Sequence, residues 1–489
     1  MLDDDDHELM RVVGRYLKRV ERLTATEAAT DRTPLGVAIG EHLGVDAASV
    51  PVLTEAVPAH RLVDADIALD DLMTRSGGTL LGVTGGEQRF HSSVADLISN
   101  AYAHFSPGPV SSEMRATGPG TERRVVSFGV RLLHVGGQPV AIVQRGASPR
   151  HGESTARLEV LSPDQDAATA VIAELRRLMV DKSVLRGRVL SFVPTEYGSD
   201  AGATFLERPE VRADDIVLED GVLERVVGHV VGVGEHRDTL RAAGQHLKRG
   251  VLLYGPPGTG KTLTVRHLLS LTPETTAVVL TGSSIRFIAA AAEIARTFPP
   301  SLVVLEDIDL VAADRGYSPQ PILFEVLDAL DGLEADADVA FVMTTNHVHI
   351  LEEALAARPG RVDLGVEIPL PGLDARRRLF RRYAADLPLS DEALDAAAAR
   401  AEGTTGSFAK ELLRRTVLIA AVRGDGAAVT DADLKTALDD LLSSGAALTR
   451  LLLGARGGEG PDHVEVHHGA SYEPRWGEKY DEPPSILAK

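Results

Sequence analysis

A glycine-rich segment that ends in a lysine and a threonine is the part of this chain best suited to chemistry. Its eight residues read G-P-P-G-T-G-K-T. Glycines let successive backbone N–H groups turn toward phosphate oxygens, a lysine reaches the terminal phosphates, and a hydroxyl ligates Mg²⁺. The segment therefore predicts a nucleoside triphosphate site. The residues predicted to bind the nucleotide are Gly255, Pro256, Pro257, Gly258, Thr259, Gly260, Lys261, Thr262 and Leu263.

The sequence on either side supplies the elements that such a loop needs. Residues 249–254 form an apolar run that predicts a buried strand, and residues 261–271 predict a helix. The positive N-terminal end of that helix favours a bound phosphate. Strand, loop and helix in this order distinguish a phosphate-binding loop from an ordinary glycine-rich turn.

An acidic pair follows a second apolar strand. Residues 302–305 read L-V-V-L, and Glu306 and Asp307 come directly after them. We expect one carboxylate to hold Mg²⁺ through water and the other to orient or deprotonate the attacking water. Thr262 and Glu306 are the predicted magnesium ligands, and Asp307 is the predicted water-activating residue. Lys261 completes the catalytic set on this side.

A third strand and two arginines follow further along the chain. Residues 339–345 predict a strand that ends at Asn346, whose amide can hydrogen-bond the γ-phosphate or the attacking water. Arg358 and Arg361 flank a Pro-Gly turn. Two arginines in this position suit a function in trans, in which they stabilise charge on a γ-phosphate held by a neighbouring subunit.

Together these motifs resemble the AAA branch of the AAA+ ATPases in order and spacing. The resemblance implies a domain that binds ATP and Mg²⁺, a small helical lid, and a homohexameric ring with active sites between subunits. It implies that Asn346 is sensor 1 and that Arg358 and Arg361 are arginine fingers. It also implies that Gly406 and Ser407, which open a predicted lid helix, contact the nucleotide.

Two features depart from the usual pattern of that family. Glu306-Asp307 reverses the usual Asp-Glu order and is similar to the mitochondrial Rieske-protein translocase type, so we expect an active site. Phe287 and Ile288 are the only pair placed to grip a threaded polypeptide, and a core position for Phe287 is an equal alternative. Ile216–Val230 matches the family's adenine-side segment.

The predicted fold class is α/β: a P-loop AAA+ nucleotide domain with a small helical lid, preceded by a mixed α/β N-terminal domain. In the N-terminal part, Pro163–Val180 is a predicted helix with Ser162 as its N-cap. Residues 194–204 are polar and contain glycine, which indicates a linker. The predicted domains are 1–200, which would bind clients, 205–385, the ATPase domain, 386–453, the lid, and 454–489, a tail expected to be disordered.

Composition excludes several classes of protein. The 489 residues include no cysteine, so disulfides and thiolate chemistry are excluded. The net charge of −20 argues against nucleic acid as a partner, since duplex binding needs a basic patch. No apolar run approaches the ~18 residues of a membrane helix, and the acidic start does not resemble a signal peptide. We therefore expect a cytoplasmic protein without a membrane segment. No H-E-x-x-H zinc-protease motif occurs.

The sequence thus favours an ATP-hydrolysing ring that remodels a protein client. One alternative is a nucleotide-switched scaffold that assembles with little turnover. Another is a nucleic-acid motor or loader, which the acidic charge opposes.

Overall fold

The computed structural model describes residues 32–100, 102–148, 153–194, 200–309, 337–348, 362–424 and 426–443. These residues form two seven-stranded sheets, the helices that cover them, and a helical bundle. The strands are β1 (Val52–Pro58), β2 (Thr79–Thr84), β3 (Ser106–Gly108), β4 (Ser111–Gly118), β5 (Thr121–Val135), β6 (Gln138–Arg145), β7 (Thr155–Leu161), β8 (Val189–Pro194), β9 (Asp200–Leu206), β10 (Arg249–Tyr254), β11 (Thr276–Thr281), β12 (Ser301–Glu306), β13 (Val339–Thr345) and β14 (Leu364–Glu367). The helices are α1 (Pro34–Leu43), α2 (Leu62–Ser76), α3 (Val94–Ile98), α4 (Gln165–Asp181), α5 (Val222–Val227), α6 (Val233–Glu235), α7 (Arg237–Ala242), α8 (Lys261–Leu271), α9 (Ile288–Thr297), α10 (Leu373–Ala384), α11 (Asp391–Arg400), α12 (Gly406–Arg423) and α13 (Asp431–Leu442).

The first sheet is antiparallel and has helices on both faces. Its strand order is β1-β7-β6-β5-β2-β3, with β4 paired to β5. Successive residues of a strand point to opposite faces. Val140 and Ile142 therefore share a core with α2 and α4, whereas Ala141 and Val143 share one with α1 and α3. This confirms the mixed α/β character expected for the N-terminal part.

Helix α4 begins two residues later than the sequence predicted. Its N-cap is Asp164, whose carboxylate accepts hydrogen bonds from the backbone N–H groups of Asp166 at 2.9 Å and Ala167 at 3.3 Å. Ser162 instead donates its hydroxyl to the carbonyl of Pro139 at 3.0 Å. The predicted Ser162 cap is therefore wrong, because a tertiary contact takes the hydroxyl and a better acceptor follows it.

The second sheet has the order β14-β10-β13-β12-β11-β8-β9. The strands from β14 to β8 pair in parallel, and β9 is antiparallel to β8. Strands β10, β12 and β13 are buried over almost their whole length, since separate cores cover the two faces of the sheet. Burial on both faces explains why these strands are continuous apolar runs in the sequence.

The prediction of a linker at 194–204 is wrong for residues 200–204, which the structure describes as part of a strand. Residues 200–206 form β9, which pairs with β8, for example Phe205 with Leu190. Strand β8 in turn pairs with β11 through Val189 and Ala277. The hairpin therefore extends the second sheet, which begins before the predicted limit at 205. The domain limits as a whole remain predictions.

The segment between β1 and α2 packs against the elements of the second sheet through aromatic side chains. The ring of His60 stands edge-on to the ring of Phe192, with 5.6 Å between their centroids. The centroid of the Phe287 ring also lies 5.6 Å from that of Phe192. The guanidinium of Arg61 lies over the ring of Phe298 at 5.2 Å. The two sheets are thus joined by packed side chains.

Helices α10 to α13 form a bundle with its own core, to which Phe380, Leu412 and Leu438 contribute. Helix α10 packs into this core, although the predicted lid began at residue 386.

Within the described residues, no helix has the length and apolar composition needed to cross a bilayer. The predicted tail at 454–489 lies outside the described residues.

Replacing Phe192 with alanine is expected to lower the free energy of unfolding by about 3–5 kcal/mol, because it leaves a cavity in the core. Phe192 is 2% exposed. Chemical denaturation followed by circular dichroism measures the change.

Val193→Ala is the matched control, since the next residue of the same strand faces the other way and is 51% exposed. We expect it to change the free energy of unfolding by less than about 0.5 kcal/mol. Equal losses in the two variants would contradict the packing described for Phe192.

Candidate nucleotide-binding site

The glycine-rich loop follows the C-terminal end of β10, at the carboxyl edge of the second sheet. Helix α8 begins where the loop ends. Gly255, Gly258 and Gly260 have φ angles of 145°, 78° and 113°, which side-chain-bearing residues rarely adopt. A Cβ on Gly255 would lie 2.2 Å from the carbonyl oxygen of Ile368. The positive φ angles favour glycine at all three positions, and at Gly255 there is also no room for a side chain. The loop backbone therefore packs directly against the backbone at Ile368.

Lys261 is the first residue of α8 and is buried, with 6% of its surface exposed. Its ammonium group donates hydrogen bonds to the carbonyl oxygens of Gly255 at 2.7 Å and Pro256 at 2.8 Å. Burial lowers the pKa of Lys261 to about 8, while the negative charges of Asp307 and Asp309 act in the opposite direction. A cation is thus fixed where an incoming phosphate would meet it.

The predicted magnesium ligands lie near each other, Thr262 in the first turn of α8 and Glu306 at the end of β12. The hydroxyl of Thr262 is near enough to the carboxylate of Glu306 to stabilise its charge. Burial raises the pKa of Glu306, and the negative charge of Asp307 acts in the same direction, whereas the hydroxyl of Thr262 and the charge of Arg266 oppose the shift. Within the described residues, the buried Oε1 of Glu306 has no hydrogen-bond partner. A hydroxyl beside a carboxylate with a free oxygen fits Mg²⁺, which binds oxygen ligands and retains waters and phosphate oxygens.

Asp307 and Asn346 meet across the ends of β12 and β13. The side-chain amide of Asn346 donates to Oδ1 of Asp307 at 3.1 Å. Asp307 has a φ of 52°, in the left-handed region, and its backbone N–H donates to the hydroxyl of Thr344 at 2.9 Å. The predicted water-activating carboxylate and the predicted sensor are therefore hydrogen-bonded neighbours.

A cavity of about 450 Å³ lies beside these residues, between the loop, the sheet and the helical bundle. Its wall includes residues 257–263 of the loop, together with Asp307 and Asn346. The bundle contributes Gly406 and Ser407 at the start of α12, and their contact with the nucleotide stays a prediction. Glu306 lies instead in the wall of an adjoining cavity of about 680 Å³, with Arg266 and Thr281.

Hydrogen bonds and an ion pair join the predicted adenine-side segment and the residue before it to helix α10 and its N-terminal end. Residues 215–219 line the 450 Å³ cavity. Arg378 donates to the carbonyl oxygen of Leu218 at 2.8 Å, and Arg382 forms an ion pair with Asp215. The backbone N–H of Gly372, just before α10, donates to Glu219 at 2.7 Å. The segment and the lid helix therefore hold one wall of the cavity together.

Sequence reasoning missed several residues of the site. Tyr383 and Lys410 line the cavity from two bundle helices, and no motif marks either one. Asp309 is buried beside the strand ends, and its place two residues after the acidic pair was the available signal. Arg358 and Arg361 lie outside the described residues.

Phe287, the residue considered for gripping a polypeptide, packs against the core of the second sheet. Its ring is half-buried beside Phe192, and the guanidinium of Arg286 lies over it at 5.0 Å. These contacts favour the core alternative that the sequence left open.

The fold and the site define a P-loop α/β nucleotide-binding domain with a helical lid. Residues 251–370 match the family model of the ATPase family associated with various cellular activities (AAA). The chain therefore carries an AAA domain, as the motifs indicated.

Three curated proteins show the extent of the similarity. The ATP-dependent zinc metalloprotease FtsH 3 of Sphaerobacter thermophilus is 33% identical over 52% of this chain and 54% of its own length. The proteasome-activating nucleotidase of Methanothermobacter thermautotrophicus is 32% identical over 48% of this chain and 61% of its own. The 26S protease regulatory subunit 6A of Caenorhabditis elegans is 30% identical over 40% and 48%. The chain thus spans about half the length of the relatives it matches.

Gly258→Ala is expected to weaken nucleotide affinity by at least about tenfold, because the loop and the lid meet at this residue. An added Cβ would lie 2.7 Å from Oγ of Ser407 and 2.9 Å from Oγ1 of Thr405. Titration with a fluorescent ATP analogue measures the affinity.

Gly244→Ala is the matched control, because Gly244 also has a positive φ, of 69°, but an added Cβ there would meet no other atom within 4 Å. Its backbone strain should lower stability by about 1 kcal/mol and leave affinity unchanged. If both variants bound nucleotide like the wild type, the loop–lid contact would have no function in binding.

Proposed function

We propose that this protein is a magnesium-dependent ATPase that assembles as a homohexameric ring and remodels protein clients. The observation that carries the proposal is the convergence of Lys261, Asp307 and Asn346 at one cavity beside the glycine-rich loop. Such a constellation positions a γ-phosphate and a water molecule for in-line attack. The match of residues 251–370 to an ATPase family supports the same reaction.

Each side chain has a distinct function in this proposal. The loop N–H groups and Lys261 bind the phosphates of ATP. Thr262 and Glu306 would hold Mg²⁺, which would neutralise charge on the β- and γ-phosphates. Asp307 accepts a proton from the attacking water, whose oxygen bonds to the γ-phosphorus as the bond to the leaving ADP oxygen breaks. Asn346 fixes the position of the carboxylate and of the water.

Ring assembly and a protein client are the further parts of the proposal. Arg358 and Arg361 would reach the γ-phosphate of the adjacent subunit and stabilise the transition state. The relatives carry names that refer to proteolysis: a zinc metalloprotease, a proteasome-activating nucleotidase and a protease regulatory subunit. These names support a protein as the client. The identity of that client and a cytoplasmic location remain predictions.

Lys261→Ala should abolish ATP binding, and Asp307→Asn should lower kcat by about 10²- to 10⁴-fold while ATP still binds, because only the general base is lost. Phosphate release measured with and without Mg²⁺ tests both variants. Lys435→Ala, a change on the exposed surface of α13, is the control and should retain full activity. A wild-type protein without magnesium-dependent hydrolysis would overturn the proposal.

Sites shared between subunits predict complementation in mixed rings. Lys261→Ala subunits and Arg361→Ala subunits should each be inactive alone. Mixed in equal amounts, they should recover about one quarter of the wild-type rate, because an Arg361→Ala subunit offers an intact loop to the arginines of a Lys261→Ala neighbour. No recovery, in rings that carry both subunits as shown by sequential purification on two different affinity tags, would exclude the function in trans.

A nucleotide-switched scaffold is the second candidate, favoured by one observation. The carboxylate of Asp307 already accepts a hydrogen bond from Asn346, so it is partly engaged before any water approaches. A scaffold would bind ATP and assemble, and Asp307→Asn would not change its turnover. The same phosphate-release assay, paired with light scattering, separates the two candidates.

A further inference from the structure

Asp309 is a buried carboxylate next to the proposed catalytic residues that the reaction described above does not use. It is 3% exposed. Its Oδ1 accepts two hydrogen bonds, from the hydroxyl of Thr345 at 2.9 Å and from the backbone N–H of Asn346 at 3.2 Å. Both donors belong to the neighbouring strand end. Asp309 therefore ties the segment after β12 to the segment after β13.

The same strand ends share further hydrogen bonds, and their pattern shows what Asp309 adds. The backbone N–H of Ile308 donates to the carbonyl oxygen of Thr344 at 3.0 Å, which continues the pairing of β12 with β13. Thr345 still pairs with Tyr254 of β10, but on the side that faces the segment after β12 the backbone after Thr344 is held by side chains. The hydroxyl of Thr345 donates to Asp309 and accepts from the backbone N–H of His347 at 3.0 Å. Asp309 thus orients the hydroxyl that closes the turn around Asn346.

We propose that Asp309 is a positioning residue for ATP hydrolysis. It holds the backbone of Asn346 so that the side-chain amide stays within hydrogen-bond distance of Asp307. This inference rests on the proposed ATPase function. Asp309 does not line the nucleotide cavity, and its hydrogen bonds go to Thr345 and Asn346.

Chemistry explains why a carboxylate suits this position. An ionised oxygen accepts stronger hydrogen bonds than a neutral one, and a buried oxygen meets little competition from water. Without it, the hydroxyl of Thr345 and the N–H of Asn346 lose their acceptor at the same time. Displacement of a reacting group by about 1 Å can lower a rate by about 100-fold.

Asp338 offers a comparison at the other end of β13. It is 2% exposed and precedes β13 at the opposite edge of the sheet, where it accepts a hydrogen bond from Arg249 at 2.8 Å. Its loss should destabilise the sheet about as much as the loss of Asp309 does. It lies far from Asn346 along the strand, so it should not affect positioning.

The test compares kcat, KM and the affinity for a fluorescent ATP analogue, each per folded protein. Asp309→Ala should lower kcat by about 10- to 100-fold and change KM and affinity by less than about twofold. Asp309→Asn keeps an oxygen acceptor and should lose less activity. Thr345→Val should also lower kcat. The kcat of the double variant Asp309→Ala/Thr345→Val should be no lower than that of Asp309→Ala, because both changes remove the same hydrogen bond between Thr345 and Asp309.

Asp338→Asn is the control, with a lower melting temperature and an unchanged kcat per folded protein. If Asp309→Ala does not fold, Asp309→Asn and Thr345→Val carry the comparison. Variants at Asp309 and Thr345 that retain the wild-type kcat would overturn the positioning inference and leave the ATPase function standing. A wild-type protein without turnover would overturn both.

Discussion

The parallel pairing of β10, β12 and β13 is the constraint on which the site depends. Leu253 pairs with Thr344, and Leu305 pairs with Met343, so the three strands end at the same edge of the sheet. The loop, the acidic pair and Asn346 follow these ends directly. All three strands are buried on both faces, and a slip of one residue would exchange their faces and shift a strand end by about 3.3 Å. Core packing thus sets the geometry of the site.

The site shows which features a sequence reveals and which it conceals. The glycine-rich loop and the acidic pair were predictable because each is contiguous and follows a strand that is apolar throughout. Tyr383 and Lys410 come to the cavity from helices distant in sequence, and only tertiary packing brings them there. Asp309 lies close to the acidic pair, but its partners are on another strand. Contacts of that kind have no local pattern.

The fold shows the same division. The mixed α/β character of the N-terminal part and the helices of the lid were predictable, because apolar stretches and helix-cap residues mark them in the sequence. Strand β9 was mistaken for a linker because an edge strand has one neighbour and needs little apolar sequence. The helix start at Asp164 was misplaced because Ser162 makes its hydrogen bond to Pro139, a residue of another strand. A contact with a residue distant in sequence thus decides whether residues 200–206 form a strand or a linker. Another such contact decides whether Ser162 or Asp164 caps the helix.

The β8–β9 hairpin has a consequence for how the chain can be divided. A fragment cut at residue 205, as the motifs alone would suggest, would lose β8 and most of β9. Strand β11 would then become an unpaired edge, and the ring of Phe287 would lose its cover. Unpaired edges beside exposed aromatic rings promote aggregation. The smallest soluble fragment that contains the AAA domain should therefore begin before Val189, within what the motifs assign to the preceding domain.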